Sequence, residues 1–538
     1  MIQISSLRLP VDHTDADLRS AALAALKCDD AELKSLTIRK RSIDARTHRK
    51  EGVFFQYILE AEVADETAVY AKCGSDPNIQ PPKERNYAFG AKKTSNAENR
   101  PVIIGAGPCG LFAALLLARH GRRPILLERG KPVGPRARDV TKHWREGTEI
   151  DPDSNVQFGE GGAGAFSDGK LYTQIKDREH RARWVLEQLA EHGAPSDILI
   201  KGRPHIGTDR LMKVLRLIRA KIEELGGEYR FGTRVDSFVI EKGTLRGLKT
   251  STGEEMECSE AVLAVGHSAR DTFAVLKAAG IPMEAKPFSI GARIEHPQKL
   301  IDRSFFGKQA GHPLLGSSPY KFVHHGKNQE RTTYSFCMCP GGLVVGSSSE
   351  PGAVVTNGMS SYARDEANAN SGFMVEVSPE DFDDPDDPLS GIAFQRRWER
   401  KAYEIGGNEY HAPAQRLGDL LAQRPSKEPG NVSPSYRPGV VWTDLRECLP
   451  EFVVDSIRDA IPHIARKIPD FALEDAVLTA AETRSSSPLR IDRDPETLQC
   501  PSASGLYPAG EGAGYAGGIV SAAVDGLRVA EKIVESEA

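Results

Sequence analysis

Residues 102–130, VIIGAGPCGLFAALLLARHGRRPILLERG, constrain this chain more than any other stretch. An apolar strand runs into Gly105-x-Gly107-x-x-Gly110, then into an apolar helix and a second apolar strand at Pro124–Glu128. That order is a βαβ opening, which commits the chain around it to a parallel sheet covered by helices. Each glycine has a mechanical reason: Gly105 permits the tight turn, Gly107 lets a pyrophosphate approach the backbone, and Gly110 lets helix and strand pack closely. Pro108 and Cys109 fall in the first helical turn, where exposed N–H groups and the helix dipole attract phosphate. Glu128 closes the second strand about 20 residues on, the separation at which a carboxylate accepts hydrogen bonds from ribose hydroxyls. Arg129 beside it joins the cofactor-binding candidates. An acid here disfavours a 2′-phosphate, so NADP is not the ligand expected at this turn.

NAD and FAD share this opening, and the far end of the chain separates them. GLYPAGEGAGYAGGIVSAAVDGLRVAEKI, residues 505–533, reads as a strand ending in Ala509-Gly510-Glu511, then glycines, then a helix starting near residue 514. Two helix starts, near 107 and 514, are expected to meet opposite ends of one elongated ligand. FAD suits this, because the flavin edge becomes negative on reduction and a helix dipole favours that state. Glu511 is placed to hydrogen-bond the ribitol or bridging phosphate, with Gly510, Gly517, Gly518 and Ile519 against the cofactor. The competing reading is a helix that merely caps the fold. Between these ends, Phe158–Gly169 carries glycines at 159, 161, 162, 164 and 169, so backbone is expected to pass close to a ligand. Gly161, Gly162, Ala163, Phe166 and Ser167 are its cofactor-binding candidates, against the alternative of a ligand-free flexible loop. Lys170, just beyond, is a candidate cation beside flavin or substrate.

The surrounding chain divides by pattern. Residues 1–80 read as a small α+β module: a strand at Ile2–Leu9, a helix at Asp15–Leu26, and alternating strands at Leu36–Ile43 and Val53–Val63. Residues 81–100 lie in a stretch rich in Pro, Asn, Gly and charge that reads as a linker. Residues 101–280 form the first part of a Rossmann-like FAD-binding domain, with helices at His180–His192 and Asp209–Leu225, a hairpin at Arg234–Lys249 and a strand at Glu260–Val265. Residues 281–480, with strands at Phe288–Ile294, Thr332–Met338 and Leu343–Gly346, form an inserted α+β substrate domain, and 481–538 return to the FAD-binding domain. The fold class is therefore α/β with an inserted α+β domain and an N-terminal α+β module.

With 70 basic and 75 acidic residues the formal net charge is -5, which gives no electrostatic reason to expect DNA or an anionic membrane as partner. The basic clusters Arg39-Lys40-Arg41 and His48-Arg49-Lys50 read as solvated faces, though TIRKRSIDAR permits RNA contact by the module. The N-terminus lacks a secretory pattern, and the apolar run Leu111–Ala118 is far short of the roughly 20 residues that span a bilayer. Eight irregularly spaced cysteines fit a reducing compartment, and the expected location is cytoplasmic. Cys337 and Cys339 are expected to alternate in a strand with both side chains on one face, lining or packing rather than forming a redox disulfide. Cys109 sits where a helix N-terminus lowers a thiol pKa, although packing explains it as well. The histidines show no metal-ligand spacing, so no metal is expected. Thr483–Ser487 with Arg484 and Arg490 either grips an anionic substrate or simply pairs internally.

VIIGAGPCGLFAA, NVQFGEGGAGAFSDGKL (155–171), YSFCMCPGGLVV (334–345), ANSGFMV, TRSSSPLRI (483–491) and GLYPAGEGAGYAGGI together make the chain resemble flavoproteins of the glutathione-reductase structural class. Within it, the resemblance is to bacterial FAD-dependent dehydrogenases of unassigned substrate that carry an extra N-terminal module. The resemblance implies FAD held by the first turn, by Glu128, by backbone at Arg234-Val235 near the adenine, and by the tail. AVLAVGHSA (261–269) resembles the turn beneath the flavin, which adds Gly266 to the cofactor set and His267 as a candidate catalytic acid, with Lys170 as the second catalytic candidate. The expected activity is hydride transfer between flavin and a small-molecule substrate, with NAD(P)H as a transient electron donor in one version, since a second glycine fingerprint is absent. The alternatives are a flavin-dependent monooxygenase, an RNA-modifying flavoenzyme, or a non-enzymatic flavin-bound scaffold or sensor.

Overall fold

The computed structural model describes residues 1–46, 51–83, 86–90, 99–326 and 331–536. At the N-terminus, alternation of buried and exposed residues makes Ile2–Pro10, Leu33–Asp44 and Phe54–Val63 antiparallel partners in a four-stranded sheet that Ile79–Gln80 completes. The helix Asp15–Leu26 starts on a capping box between Thr14 and Asp17. A second helix, Glu66–Cys73, buries only Val69 and Cys73, so its periodicity barely shows in the sequence. The module does not stand alone. Its core includes Phe306 and Leu315 from the later chain, and Val53 N–H donates to Gln309 at 2.6 Å. On its edge, Arg41 N–H donates to Ile200 O at 2.7 Å and Gly202 N–H returns a bond to Arg41 O at 2.8 Å. Arg39 pairs with Glu60 and Arg46 with Asp44; His48-Arg49-Lys50 lies outside the described residues.

The βαβ opening forms as the glycine spacing demands. Val102–Ile104 pairs in parallel with Ile125–Glu128 on one side and Ala261–Leu263 on the other, and Leu506–Pro508 and Glu228–Phe231 extend the sheet to five strands. The C-terminal segment thus enters the sheet next to the strand at 261–263 rather than lying on its surface. The helix Pro108–Arg119 connects the strands Val102–Ile104 and Ile125–Glu128, and ten of its residues, Cys109 through Ala118, are buried. The C-terminal helix Ile519–Glu535 packs along it with Val520–Leu527 buried. Strands Val235–Glu241, Thr244–Thr250 and Glu255–Glu257 form a separate antiparallel sheet. No helix among the described residues is long and apolar enough to cross a membrane.

An eight-stranded, mostly antiparallel sheet carries the remainder. The chain enters it after Met283–Ala285 and leaves it before Leu489–Ile491, and these two strands pair with each other, so both crossings are tied at one place. Val477–Glu482, at the expected domain boundary near 480, pairs centrally in this sheet with Phe288–Pro297. The expected strands at 332–338 and 343–346 are one strand, Thr332–Gly346, whose register against Asn368–Val377 shifts between Phe336 and Cys339 and again before Gly342. Pro340-Gly341-Gly342 therefore bends a strand instead of ending it, and the far end pairs with Thr356–Met359.

Helices Pro108–Arg119 and Ile519–Glu535 touch backbone to backbone at Gly526, where a Cβ would collide with the carbonyl oxygen of Cys109. Gly526→Ala is therefore expected to destabilise the protein by about 1–3 kcal/mol through forced separation of the two helices, measured as a lower denaturant midpoint.

Candidate functional site

A cavity of about 910 Å³ is lined by the dinucleotide turn, the glycine-rich loop, the C-terminal turn and residues of the large sheet. Its floor is made of close backbone approaches. A Cβ on Gly162 would stand 3.0 Å from the Cα of Gly107, and one on Gly164 would lie 3.2 Å from Ile519 and 3.6 Å from Pro108. The two helix starts consequently lie side by side across Gly164. This corrects two expectations: the second helix begins at Ile519, not near 514, and the starts share one wall rather than facing opposite ends of a ligand. The turn Tyr515–Gly518 that delays the helix supplies the space. Gly266, Gly517 and Gly518 line the cavity with nothing within 4 Å of where a Cβ would project, so side chains there would fill it. The first-turn N–H groups of both helices have no intrahelical acceptor and are open to an anion. This donor set fits a bound FAD.

Two buried side chains of opposite charge shape the loop. Arg136, fully buried, donates to five carbonyl oxygens: Asn155 at 2.8 Å, Val156 at 2.8 Å, Gly159 at 3.2 Å, Glu160 at 2.7 Å and Gly162 at 2.9 Å. Burial pulls its guanidinium down to about 10, opposed by Glu128 and Glu160, so it stays charged at neutral pH. Glu128 accepts from the N–H groups of Gly130 at 2.8 Å and Gly159 at 2.9 Å on one oxygen and of Ala106 at 2.8 Å on the other. One lone pair of Oε2 remains for a ribose hydroxyl. The sequence pointed to Glu128 by its distance from the glycines, but nothing pointed to Arg136, which lies in the helix Val133–Glu146 among polar residues that give a weak core signal.

The cavity brings together Gly105, Gly107, Pro108, Cys109, Glu128, Arg129, Gly162, Ala163, Ser167, Lys170, Val235, Gly266, His267, Glu511, Gly517, Gly518 and Ile519. Four expected residues do not line it. Gly110 packs against Gly105 and Ile103, which leaves no room for a Cβ. Gly161 donates its N–H to Ala106 O at 2.8 Å. Phe166 turns into the core against Trp144, centroids 5.8 Å apart, and beneath the Arg136 guanidinium. Gly510 donates its N–H to Asp525 at 2.8 Å and abuts the Cys109 side chain. Arg129 is held by Asp153 at 3.1 Å and by Asp271, and its guanidinium lies 4.3 Å from the Phe158 ring centroid. Burial pushes the Cys109 thiol well up, overriding the helix dipole that could have activated it.

Lys170, Lys286, Lys321, Phe336, Cys337 and Asn357 line the same cavity as His267 and Glu511. Burial, helped by Arg484 and Arg270, holds His267 down to about 3. The imidazole is neutral, which corrects the expectation of an acid: near neutral pH it has no extra proton to give. Burial pushes Glu511 up to about 7, against a Gly518 N–H and Lys286. Arg484 is committed to Glu399, donating to it at 3.1 and 2.9 Å, while Arg270 donates to the same carboxylate at 2.7 and 2.9 Å. Arg490 sits opposite Glu284 at 3.6 Å. Of the two readings of 483–487, internal pairing is the one the contacts follow. The register shift between Phe336 and Cys339 breaks the regular alternation expected of Cys337 and Cys339: Cys337 stands in the left-handed region (φ 43°) against the cavity, and Cys339 is fully buried behind it.

The arrangement defines a flavoprotein with a Rossmann-like nucleotide-binding domain. Residues 287–485 match the family described as "FAD-dependent protein, C-terminal domain-like", residues 103–159 the "NAD(P)-binding Rossmann-like domain", and residues 1–62 a domain of unknown function. An uncharacterised protein of Clostridium beijerinckii is 43% identical over 534 residues, covering 99% of this chain and 98% of that one. The chain belongs to the same family of FAD-dependent oxidoreductases, and FAD is its cofactor. Protein FixC of Escherichia coli K12 is 28% identical over 229 residues, 40% of this chain and 49% of FixC. Among solved structures, CtdE in complex with FAD matches with 12% identity, 81% and 84% coverage and a TM-score of 0.32.

Arg136→Met should leave the buried loop carbonyls without a donor, at a cost of more than about 3 kcal/mol, and yield protein depleted of flavin by visible absorbance. The affinity for FAD, whose diphosphate is anionic, should weaken as pH rises through about 7 and Glu511 gains charge, by at most about tenfold per pH unit. Fluorescence titration of Glu511→Gln apoprotein should show this step gone.

Proposed function

We propose that this protein is a dehydrogenase that transfers hydride between FAD and a small organic substrate, as its resemblance to the glutathione-reductase class implies. One observation carries the reading: the cavity holding the dinucleotide turn is also lined by Lys286, Lys321, Phe336, Cys337 and Asn357 of the domain built on the large sheet. A substrate entering between the two layers lies in the same space as the cofactor, and ligand sites favour such junctions. FAD supplies the hydride acceptor or donor.

The chain's own groups supply the rest. Neutral His267, within 3.1 Å of the Ser268 hydroxyl, offers a ligand hydrogen bonding rather than a charge near neutral pH. Glu511, poised near 7, holds or releases a proton at the other side. Lys286 and Lys321 make this mouth cationic and favour a substrate with an anionic group. Asp168 is already neutralised by Arg364, at 2.9 Å, and by Lys170, at 3.4 Å, so it does not oppose that charge. NAD(P)H enters this scheme as a visiting electron donor without a second glycine fingerprint of its own.

Anaerobic stopped-flow mixing of the flavin-loaded protein with NADH, NADPH and a panel of small organic anions is expected to bleach the flavin with at least one donor in a single two-electron phase. Bleaching by none, together with substrate-dependent oxygen uptake from a nicotinamide donor, would replace the dehydrogenase reading with a monooxygenase one.

A further inference from the structure

The side chain of Cys337 lines the cavity but has no chemical role in the scheme above. Its sulfur lies 3.8 Å from the ammonium of Lys170. Lys170 is fixed in turn by Asp168, which also accepts from Ser360 and Arg364. Behind the cysteine, its carbonyl accepts from fully buried Arg293 at 2.8 Å, and the Cys339 thiol points back to the same carbonyl at 3.2 Å. Residue 337 lies where the strand's register shifts, with left-handed backbone, and its side chain borders the cavity. Cys109 also borders the cavity, but burial and Asp525 raise its thiol and Arg493 offsets them only in part. Residue 337 is thus the place where a cavity-facing sulfur and an ammonium are built to meet.

We propose that Cys337 is a thiolate nucleophile, paired with Lys170, that attacks a soft electrophilic carbon or sulfur atom of a small molecule entering this cavity. The inference rests on the cavity being a substrate space but not on hydride transfer. In the step, a lone pair on Sγ forms the new S–C or S–S bond, and the bond from the attacked atom to its leaving group breaks. The electron pair departs with that group, which is protonated from solvent, so no external oxidant or reductant is needed. The charge balance supports it. The Cys339 thiol, Lys170 and Arg293 hold the Cys337 thiol well below its ordinary range, whereas burial pushes Cys339 well above it. The acids acting on the site are Asp168, committed to Arg364 and Lys170, Glu482, paired with Arg293 at 2.8 Å, and Glu511. A thiolate beside a cation is the reactive form of cysteine.

The test is site-resolved labelling of flavin-loaded protein, read by mass spectrometry of peptides across pH 5–10. Iodoacetamide probes attack on carbon and dithiodipyridine attack on sulfur. Cys28, whose thiol is raised by burial, is the internal comparison. Cys337 is expected to label with a midpoint at least about 1.5 pH units below the ordinary thiol value of about 8.5, and at pH 6 more than tenfold faster than Cys28. Lys170→Met should raise the Cys337 midpoint by about one unit or more, and Lys170→Arg should restore it. If only one reagent labels Cys337 in this way, the attacked atom is the one that reagent carries. The proposal is overturned if Cys337 stays unlabelled in the loaded wild-type protein, if its midpoint is that of an ordinary thiol, or if Lys170→Met labels as the wild type does. None of these readings depends on whether any donor bleaches the flavin.

Discussion

The cofactor space depends on Arg136. A loop whose glycines at 159, 161 and 162 all adopt positive φ turns several carbonyl oxygens inward, and inside a protein each needs a donor. One guanidinium satisfies five of them, with its planar fork buried and rigid. Glu128 does the converse with three N–H groups and joins the same loop to the dinucleotide turn through Gly159 and Ala106. The pair explains a sequence requirement that propensity does not: Gly159 has no room for a Cβ because the Arg136 side chain crosses over it. Release of either charge would leave backbone groups unpaired in a dry place, and the cavity wall would go with them.

A second buried ionic centre joins the two large layers. Glu399 of the helix Ser390–Ile405 receives Arg270, from the helix after the 261–269 turn, and Arg484, from the loop that follows the strand Val477–Glu482. Glu350 adds to the cluster through Arg270 and Arg396. Burying such charges costs solvation that their attraction only roughly offsets. Its effect is geometric: His267 and Ser268 stand three and two residues before Arg270, so the network fixes the cavity wall relative to the large sheet. The two guanidiniums also help keep His267 neutral, which links interlayer packing to the protonation state of a group in the cavity.

Cooperation between layers also sets the character of the substrate side. Lys170 comes from the Rossmann layer and Cys337 from the large sheet, and they meet where the register of the strand Thr332–Gly346 shifts. The N-terminal module borrows Phe306 and Leu315 from the same large domain to finish its core. Its 62-residue family match therefore describes a piece that packs as part of the whole.

By itself the sequence determined what depends on local backbone chemistry. The βαβ opening, the Gly105 and Gly107 turn, Glu128, the helices at 181–191 and 207–224 and the C-terminal glycine turn are legible because glycine spacing and apolar periodicity are local signals. Only the tertiary structure decided which of these residues face the ligand. Gly161, Phe166 and Gly510 lie in motif positions yet turn into packing, because neighbours such as Leu215, Trp144 and Asp525 come from other segments. It also decided the neutrality of His267, the commitment of Arg484 to Glu399 and the role of Arg136. Burial and charge pairing depend on distance in space, and residues 136 and 162, or 170 and 337, become neighbours only when the layers close.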